Sequence, residues 1–360
     1  MILIKESTKA ILRYVLVSLV IFSISPIIHT DTAHSGARMI NAYAGEELVC
    51  AIDLGDDMYS SHGLETGFSY ELMCRFAQDN HCNVRIVPVD VNGNYIDSLQ
   101  TGKIDILITH QADSINNKDV SILREVNGCS AWAIKTKDSN KVRQMNSWIS
   151  YITSDPDFHK LRKRFSCSFN PHKRAESGMI VKTVSPYDDI IRTYANQLGW
   201  DWRMLAAVIY QESKFSISSI SFRGAQGLMQ IMPQTGLYYG VEDLMNPQQN
   251  ILAGTRHLQR MQKMFTSEDM SSEERIKFTL AAYNAGEGRI SDCISLAKAK
   301  GVKNLKWNNI VEKVIPLMRE DSILEEEAVK YGKFQGHETI AYIDSILSHY
   351  SAICAIHPEI

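Results

Sequence analysis

AAVIYQESKFSISSISFRGAQGLMQIMP, residues 206–233, sets a single acid, Glu212, in an apolar run and follows it with a glycine-bearing loop. Asp201 reads as an N-cap and Trp202–Ser213 as the helix it starts. On a period of 3.6 residues Trp202, Leu205, Val208 and Ile209 share one face, and Glu212 continues that stripe near the helix C-terminus. Desolvation and the negative end of the helix dipole both penalise its anion, so its pKa is expected to rise. A carboxyl that keeps its proton near neutral pH is what a general acid for glycosidic cleavage requires. The helix alone is also compatible with a glutamate at the core edge paired with an arginine or lysine.

Ser221, Gly224, Ala225, Gly227, Leu228, Met229, Gln230, Ile231, Met232 and Pro233 stand at fixed offsets behind Glu212. The stretch resembles the signature of the family 1 soluble lytic transglycosylases, E-S-x-F and then S-x-x-G-A-x-G-L-M-Q-I-M-P. Two further motifs follow in the family's order. Residues 281–286, AAYNAG, match its A-A-Y-N-A-G, and Glu338-Thr339 with Tyr342-Ile343 is similar to its E-T-x-x-Y-V. One departure is visible: Ser216-Ile217 stands where the family often has Asn-Pro, which implies a changed turn.

The resemblance implies a mostly α, lysozyme-like domain acting on the glycan strands of peptidoglycan. Glu212 would protonate the β-1,4 bond between N-acetylmuramic acid and N-acetylglucosamine. The substrate's acetamido group and then its 6-hydroxyl would act as nucleophiles, with Glu212 returning as base, to leave a 1,6-anhydro ring. No metal or cofactor is implied. Ser221 would orient the acetamido group, Gln230 would bond sugar hydroxyls, and Met232 would offer an apolar face to a sugar. Tyr283 would stand near the carboxyl of Glu212 or the acetamido oxygen, while Glu338 and Tyr342 would close the far wall of the groove. Glycosidases usually employ two carboxylates. No local argument sets Glu242, Asp243, Glu273 or Glu274 beside Glu212. A lysozyme-type hydrolase and a non-enzymatic wall-binding or sensory protein are the alternatives.

The formal net charge of −3 leaves no electrostatic footprint for nucleic acid. The basic run His159–Arg164 reads as a solvated helix face, with an anionic wall or lipid contact as the alternative. Lys5, Lys9 and Arg13 precede an apolar run, Tyr14 to Ile28, of signal-peptide length and short for a bilayer crossing. Export to the periplasm is expected, with the leader cleaved, Ala42-Tyr43-Ala44 being a candidate site, or kept as a membrane anchor. The seven cysteines form no C-x-x-C pair, which argues against zinc or redox chemistry. In an oxidising compartment Cys74 and Cys82 could close a short loop; buried free thiols are the alternative.

Strands over 48–52, 84–89, 104–108 and 131–134 alternate with helices over 67–80 and 95–101, and helices over 139–150 and 156–165 follow. The β-α-β-α-β order predicts a parallel sheet. The phrases LETGFSYELMCRFAQ, LQTGKIDILI and the run from Trp132 to Phe165 resemble one lobe of the family 3 solute-binding proteins, which are of periplasmic-binding-protein type. Those proteins hold ligand between two lobes. Here only about 15 residues, Gln111–Glu125, separate the third strand from the returning one, too few for a second lobe. The lobe thus reads as a spacer or docking surface for a small ligand or protein partner of unknown kind.

The expected organisation is an α+β chain of two domains. It comprises a leader or anchor (1–45), a one-lobe solute-binding-like α/β domain (46–169), a linker (170–184) and the lysozyme-like catalytic domain (185–360). In the last, Ser185-Pro186 is expected to open a helix, Asn246-Pro247 another, and Ser272 a third; two more fall near 307–319 and 337–350. The order of lobe and catalytic domain resembles that of membrane-bound lytic transglycosylases.

Overall fold

Leu48, Cys50, Ala51 and Ile52 are buried along the first strand, and the sheet grows around it. The structure, a computed structural model, describes residues 41–54, 64–87, 93–116, 118–123, 126, 130–166, 169–265, 270–302 and 305–358. The charged leader and its apolar run lie outside the described residues. From residue 45 onward the chain forms one compact unit.

Its first half runs β1 (Glu47–Asp53), α1 (Glu65–Asp79), β2 (Asn83–Val87), α2 (Tyr95–Thr101), β3 (Ile106–Thr109), β4 (Val120–Ile122), β5 (Ala131–Lys135), α3 (Ser139–Ile152) and α4 (Pro156–Phe165). The sheet order is β2-β1-β3-β5-β4. β1 pairs in parallel with β2 and β3, as the alternation predicts, but β5 runs antiparallel to β3 and β4 antiparallel to β5. The sheet is therefore mixed. A parallel return needs a crossover of a dozen or more residues, usually helical; among the described residues the segment after β3 holds one 3₁₀ turn, Ala112–Ser114, and the short β4. β3 is buried on both faces, as a central strand should be. Ala51, Leu107 and Ala133 pack with Leu99 of α2 on one face. Trp132 of β5, on the other, meets Trp148 of α3, which stands edge-on to Phe76 of α1 at 5.1 Å between ring centroids.

The second half is helical: α5 (Pro171–Glu176), α6 (Asp188–Leu198), α7 (Trp202–Ser213), α8 (Pro233–Tyr238), α9 (Pro247–Met264), α10 (Ser272–Ala285), α11 (Glu287–Ala299), α12 (Trp307–Lys313), α13 (Ile315–Met318) and α14 (His337–Ile356). Two caps fall where the sequence places them, Asp201 accepting from the Arg203 N–H and Asn246 from that of Gln249. α6 begins later than Ser185-Pro186 suggests. The Asp188 carboxylate turns back to accept from the N–H groups of Val184 and Ser185 and from the Ser185 hydroxyl, so Ser185 precedes the helix rather than capping it. The segment read as the linker (170–184) contains α5, capped by Asn170 and packed on α14.

α7 is buried from Trp202 through Tyr210 and is the hub of this half. α6 and α14 pack on it, and α14 also packs on α10. Among the described residues α14 is the one helix long and apolar enough to cross a membrane. Here one face of it packs on α5, α7 and α10. The two halves meet where Tyr70 of α1 donates to Asp243 (3.0 Å) and Phe165 of α4 stands edge-on to Tyr187 (6.0 Å). Cys50, Cys74, Cys82 and Cys293 carry free thiols, so no Cys74–Cys82 bridge forms; Cys129 and Cys167 lie outside the described residues.

Candidate active site

Glu212 sits one residue before the end of α7, which stops because Lys214 and Phe215 take left-handed backbone angles (φ 53° and 67°). Non-glycine residues rarely adopt such angles. The strain is held by packing: Phe215 is fully buried against Tyr210, and Ile217 fills the core behind it. This turn stands where the sequence departs from Asn-Pro. Ser213 completes the corner, its hydroxyl lying 2.9 Å from the Leu228 carbonyl, which ties the helix end to the following loop.

The loop folds as a small hairpin, with Gln226 bridged to both Ile220 and Ile231. Its anchor is Asn250 of α9, a fully buried residue that the sequence reading did not single out. Asn250 accepts from the Met229 N–H (2.8 Å) and donates to the carbonyls of Gln226 (2.9 Å) and Leu244 (2.8 Å). Gly227 has φ +75°, and a Cβ there would lie 2.3 Å from the Asn250 amide nitrogen. The motif glycine is therefore dictated by that clamp. A signal was present: Asn250 shares a face of α9 with Gly254, Leu258 and Met261, all buried, and a polar residue in a buried stripe needs partners.

Glu212 Oε1 accepts from the Tyr342 hydroxyl of α14 at 2.5 Å. Burial pushes the Glu212 pKa up to about 7, while the Tyr342 hydrogen bond and the Lys214 charge pull it down. Among the described residues no second carboxylate contributes to that balance. The tyrosine expected at the far wall is thus the one that meets the acid. Tyr283, expected near the carboxyl or the acetamido oxygen, donates to the Met229 carbonyl (2.8 Å) and feels Glu212 through space; burial and that charge raise its pKa well above the ordinary tyrosine value.

Ser221 Oγ accepts from the Ala225 N–H (3.0 Å), which leaves its own proton free to donate. Gln230, at φ 50°, spends its amide nitrogen on the carbonyls of Ser219 and Gly227 and keeps its side-chain oxygen as an acceptor. Met232 is exposed at the loop's end. Glu338 is also exposed; its neighbour Thr339 is the buried one and donates to Asn284 (2.8 Å), which joins the second and third motifs. A line of aromatic rings leads away from Tyr283 through His257 (5.6 Å) and Tyr239 (6.0 Å) to Tyr238, three-quarters exposed. Nothing in the sequence reading marked that line.

α14 runs antiparallel to α7 and holds it by polar hooks at helical spacing: Tyr342 to Glu212, His349 to Gln211 (2.9 Å) and Tyr350 to Asp201 (2.8 Å). His349 lies 2.7 Å from His172 of α5 through its other ring nitrogen. Because Gln211 offers an acceptor, His349 carries its proton on Nε2 and accepts from His172 on Nδ1. Burial, and the charges of Lys214 and His172, push the His349 pKa down to about 4. No group of His, Cys, Asp and Glu fit to hold a metal exists among the described residues.

Residues 189–306 match the family model of the transglycosylase SLT domain. The match covers the part of the helical half that holds Glu212 and the first two motifs. The chain is similar to the membrane-bound lytic murein transglycosylase F of Desulfosudis oleivorans, with 28% identity over 268 residues, 72% of this chain and 58% of that protein. With the protein of the same name from Shewanella frigidimarina it shares 34% identity over 180 residues, 50% of this chain and 37% of the other. The chain spans less than two thirds of either relative. Among solved structures, the 70 kDa soluble lytic transglycosylase of Escherichia coli aligns over 48% of this chain and 24% of its own, at 23% identity and a TM-score of 0.32.

Proposed function

We propose that the chain is an exported lytic transglycosylase that cleaves the bond between N-acetylmuramic acid and N-acetylglucosamine in peptidoglycan without adding water. The observation that carries this reading is Glu212, with a pKa of about 7, a tyrosine donor at 2.5 Å and no second carboxylate in its surroundings among the described residues. At neutral pH a group so poised is divided between acid and base forms, and the reaction needs both in turn.

Glu212 donates its proton to the glycosidic oxygen, and that C–O bond breaks. The acetamido carbonyl oxygen of the muramoyl residue bonds to C1 in its place. The 6-hydroxyl then displaces it, giving its proton to the Glu212 carboxylate, and the 1,6-anhydro ring closes with the enzyme back in its starting state. Ser221, with a proton free to donate, holds the acetamido group. Gln230 accepts from a sugar hydroxyl through its free oxygen, and exposed Met232 lies under a sugar face. Tyr283 fixes the Met229 carbonyl behind the acid, Tyr342 sets the acid's titration, and Glu338 borders the groove.

The charged leader and apolar run support export to the periplasm, and the name borne by the relatives supports a membrane association. The α/β half is a one-lobed solute-binding-like domain (46–169) that docks on the catalytic domain (185–360), a reading supported by the Tyr70–Asp243 and Phe165–Tyr187 contacts. Mass spectrometry of products released from purified peptidoglycan tests the proposal. Wild type is expected to yield anhydro-muropeptides, and Glu212→Gln to lose about a hundredfold or more of that rate. Products with reducing ends would instead assign a lysozyme-type hydrolase.

A further inference from the structure

α14 grips the last turn of α7 at two neighbouring residues. Tyr342 meets Glu212, and His349, seven residues further on the same face of α14, meets Gln211 (2.9 Å). The other ring nitrogen of His349 is held by His172 of α5, with 2.7 Å between the two nitrogens and the rings edge-on at 5.0 Å between centroids. The segment of α5 reaches the same helix end by a second route. Phe169, just ahead of α5, stands edge-on to Phe215 (6.3 Å) in the left-handed turn behind Glu212. The short helix that leads into the catalytic domain is thus tied to the chain on both sides of the acid.

The bond between the two imidazoles depends on how many protons they share. With both neutral, His172 donates from Nε2 to Nδ1 of His349. One added proton is tolerated, because a single N–H still lies between the facing nitrogens whichever ring carries the charge. A second puts an N–H on both, and the bond becomes a repulsion between two cations. The surroundings do not offset that charge. α7 offers Lys214, its ammonium over the Tyr210 ring (4.2 Å), and Glu212 beyond Gln211. On α5, Lys173 and Glu176 are exposed and Arg174 is turned onto the Phe169 ring (4.9 Å); on α14, Asp344 is exposed. Asp201 is taken by Arg203 and Tyr350, and α10 meets α14 at its other end, through Asn284 and Thr339. Among the described residues no carboxylate enters the balance at His349; burial, Lys214 and His172 all disfavour its proton.

We propose that the His172–His349 pair is an acid-operated latch on the catalytic helix: it holds α5 against α14 while it carries no more than one added proton, and the second proton releases α5 and lets the last turn of α7 carry Glu212 out of place. Both histidines are positioning residues, since neither touches the reacting atoms. The assignment rests on the reading of Glu212 as the acid and adds an off state to it. The Val181 N–H, bonded to the Ile356 carbonyl (2.8 Å) near the end of α14, contains no titratable group. That tie survives the change and brings α5 back when the pH rises.

The test follows two readouts of the full chain from pH 6 to pH 3: release of anhydro-muropeptides from purified peptidoglycan, and hydrogen exchange of the α5 amides, corrected for the intrinsic effect of pH. With the second proton binding near pH 4, wild type is expected to lose about tenfold of its rate by pH 3 and to regain it on return to pH 6. The α5 amides should lose protection over the same range while those of α7 before Tyr210 keep theirs. His172→Gln supplies an amide that can either donate to His349 or accept from it, so its rate should hold to within about twofold and its α5 should stay protected. An acid loss of rate that persists in His172→Gln overturns the latch. So does wild-type α5 protection that is unchanged at pH 3, a result that stands even if the variant does not fold. Absence of anhydro products from wild type at every pH overturns the reading of Glu212 and the off state with it, while exchange still decides whether the pair opens.

Discussion

Removing the Tyr342 hydroxyl takes away a hydrogen bond that favours the Glu212 carboxylate, and Lys214 is the only charge acting in the same direction among the described residues. Tyr342→Phe therefore leaves burial less opposed, and Glu212 holds its proton to higher pH. The alkaline limb of the pH–rate profile is expected to move up in this variant, and to move the same way in Lys214→Met. An unmoved limb in both would show that these groups only pack around the acid. The acid itself was legible because its environment is local: an apolar helix face and a helix end read directly from residues 202–213. Tyr342 was named through the third motif, but not as the acid's donor, because it arrives from 130 residues away and no spacing rule links the two. Ser213 and Thr339 show a related limit. Each neighbours a more conspicuous glutamate, and in both cases the small hydroxyl carries the structural contact.

Among the elements, α9 has the most to lose from a single change. Asn250→Ala leaves the Met229 N–H and two carbonyls without their partner inside the core. The expected cost is about 2–4 kcal/mol, read as a lower urea midpoint, with activity lost in step as the loop loosens. A variant as stable as wild type would mean that the loop is held elsewhere. The helices themselves were readable to within a few residues wherever a cap and an apolar period coincide, as at Asp201 and Asn246. α5, α8 and α11 escaped notice: the first two have six residues each, too few to show a period, and α11 carries its apolar residues without a clean stripe. The turn from a parallel to a mixed sheet escaped for a similar reason, since β4 contributes just three residues.

For the whole molecule, Glu212 and His349 act on stability with opposite signs. The carboxyl titrates near 7 in the folded chain against an ordinary value of 4.5, so the native state holds a proton that the unfolded state has lost. Stability falls as pH rises from 4.5 to 7 and changes no further above that. His349 titrates near 4 against an ordinary 6.5, so it is the unfolded chain that gains the proton, and stability falls as pH drops from 6.5 to 4. The two slopes oppose one another across most of that window. Glu212→Gln removes one of them. Its stability should climb with pH between 4 and 6.5 and exceed wild type at pH 8 by an amount on the order of 3 kcal/mol. Parallel melting curves for the two proteins across this range would remove the claim that burial strains the acid.

The antiparallel seam between α7 and α14 also orders events in time. A polypeptide that emerges N-terminus first presents Glu212 long before Tyr342, His349 and Tyr350 have been made. Until they arrive, the acid lacks both its hydrogen-bond donor and the helix that keeps it from water. The pairing that sets the acid's titration is thus completed only with the last helix, so a copy that stops short of α14 carries Glu212 without its donor.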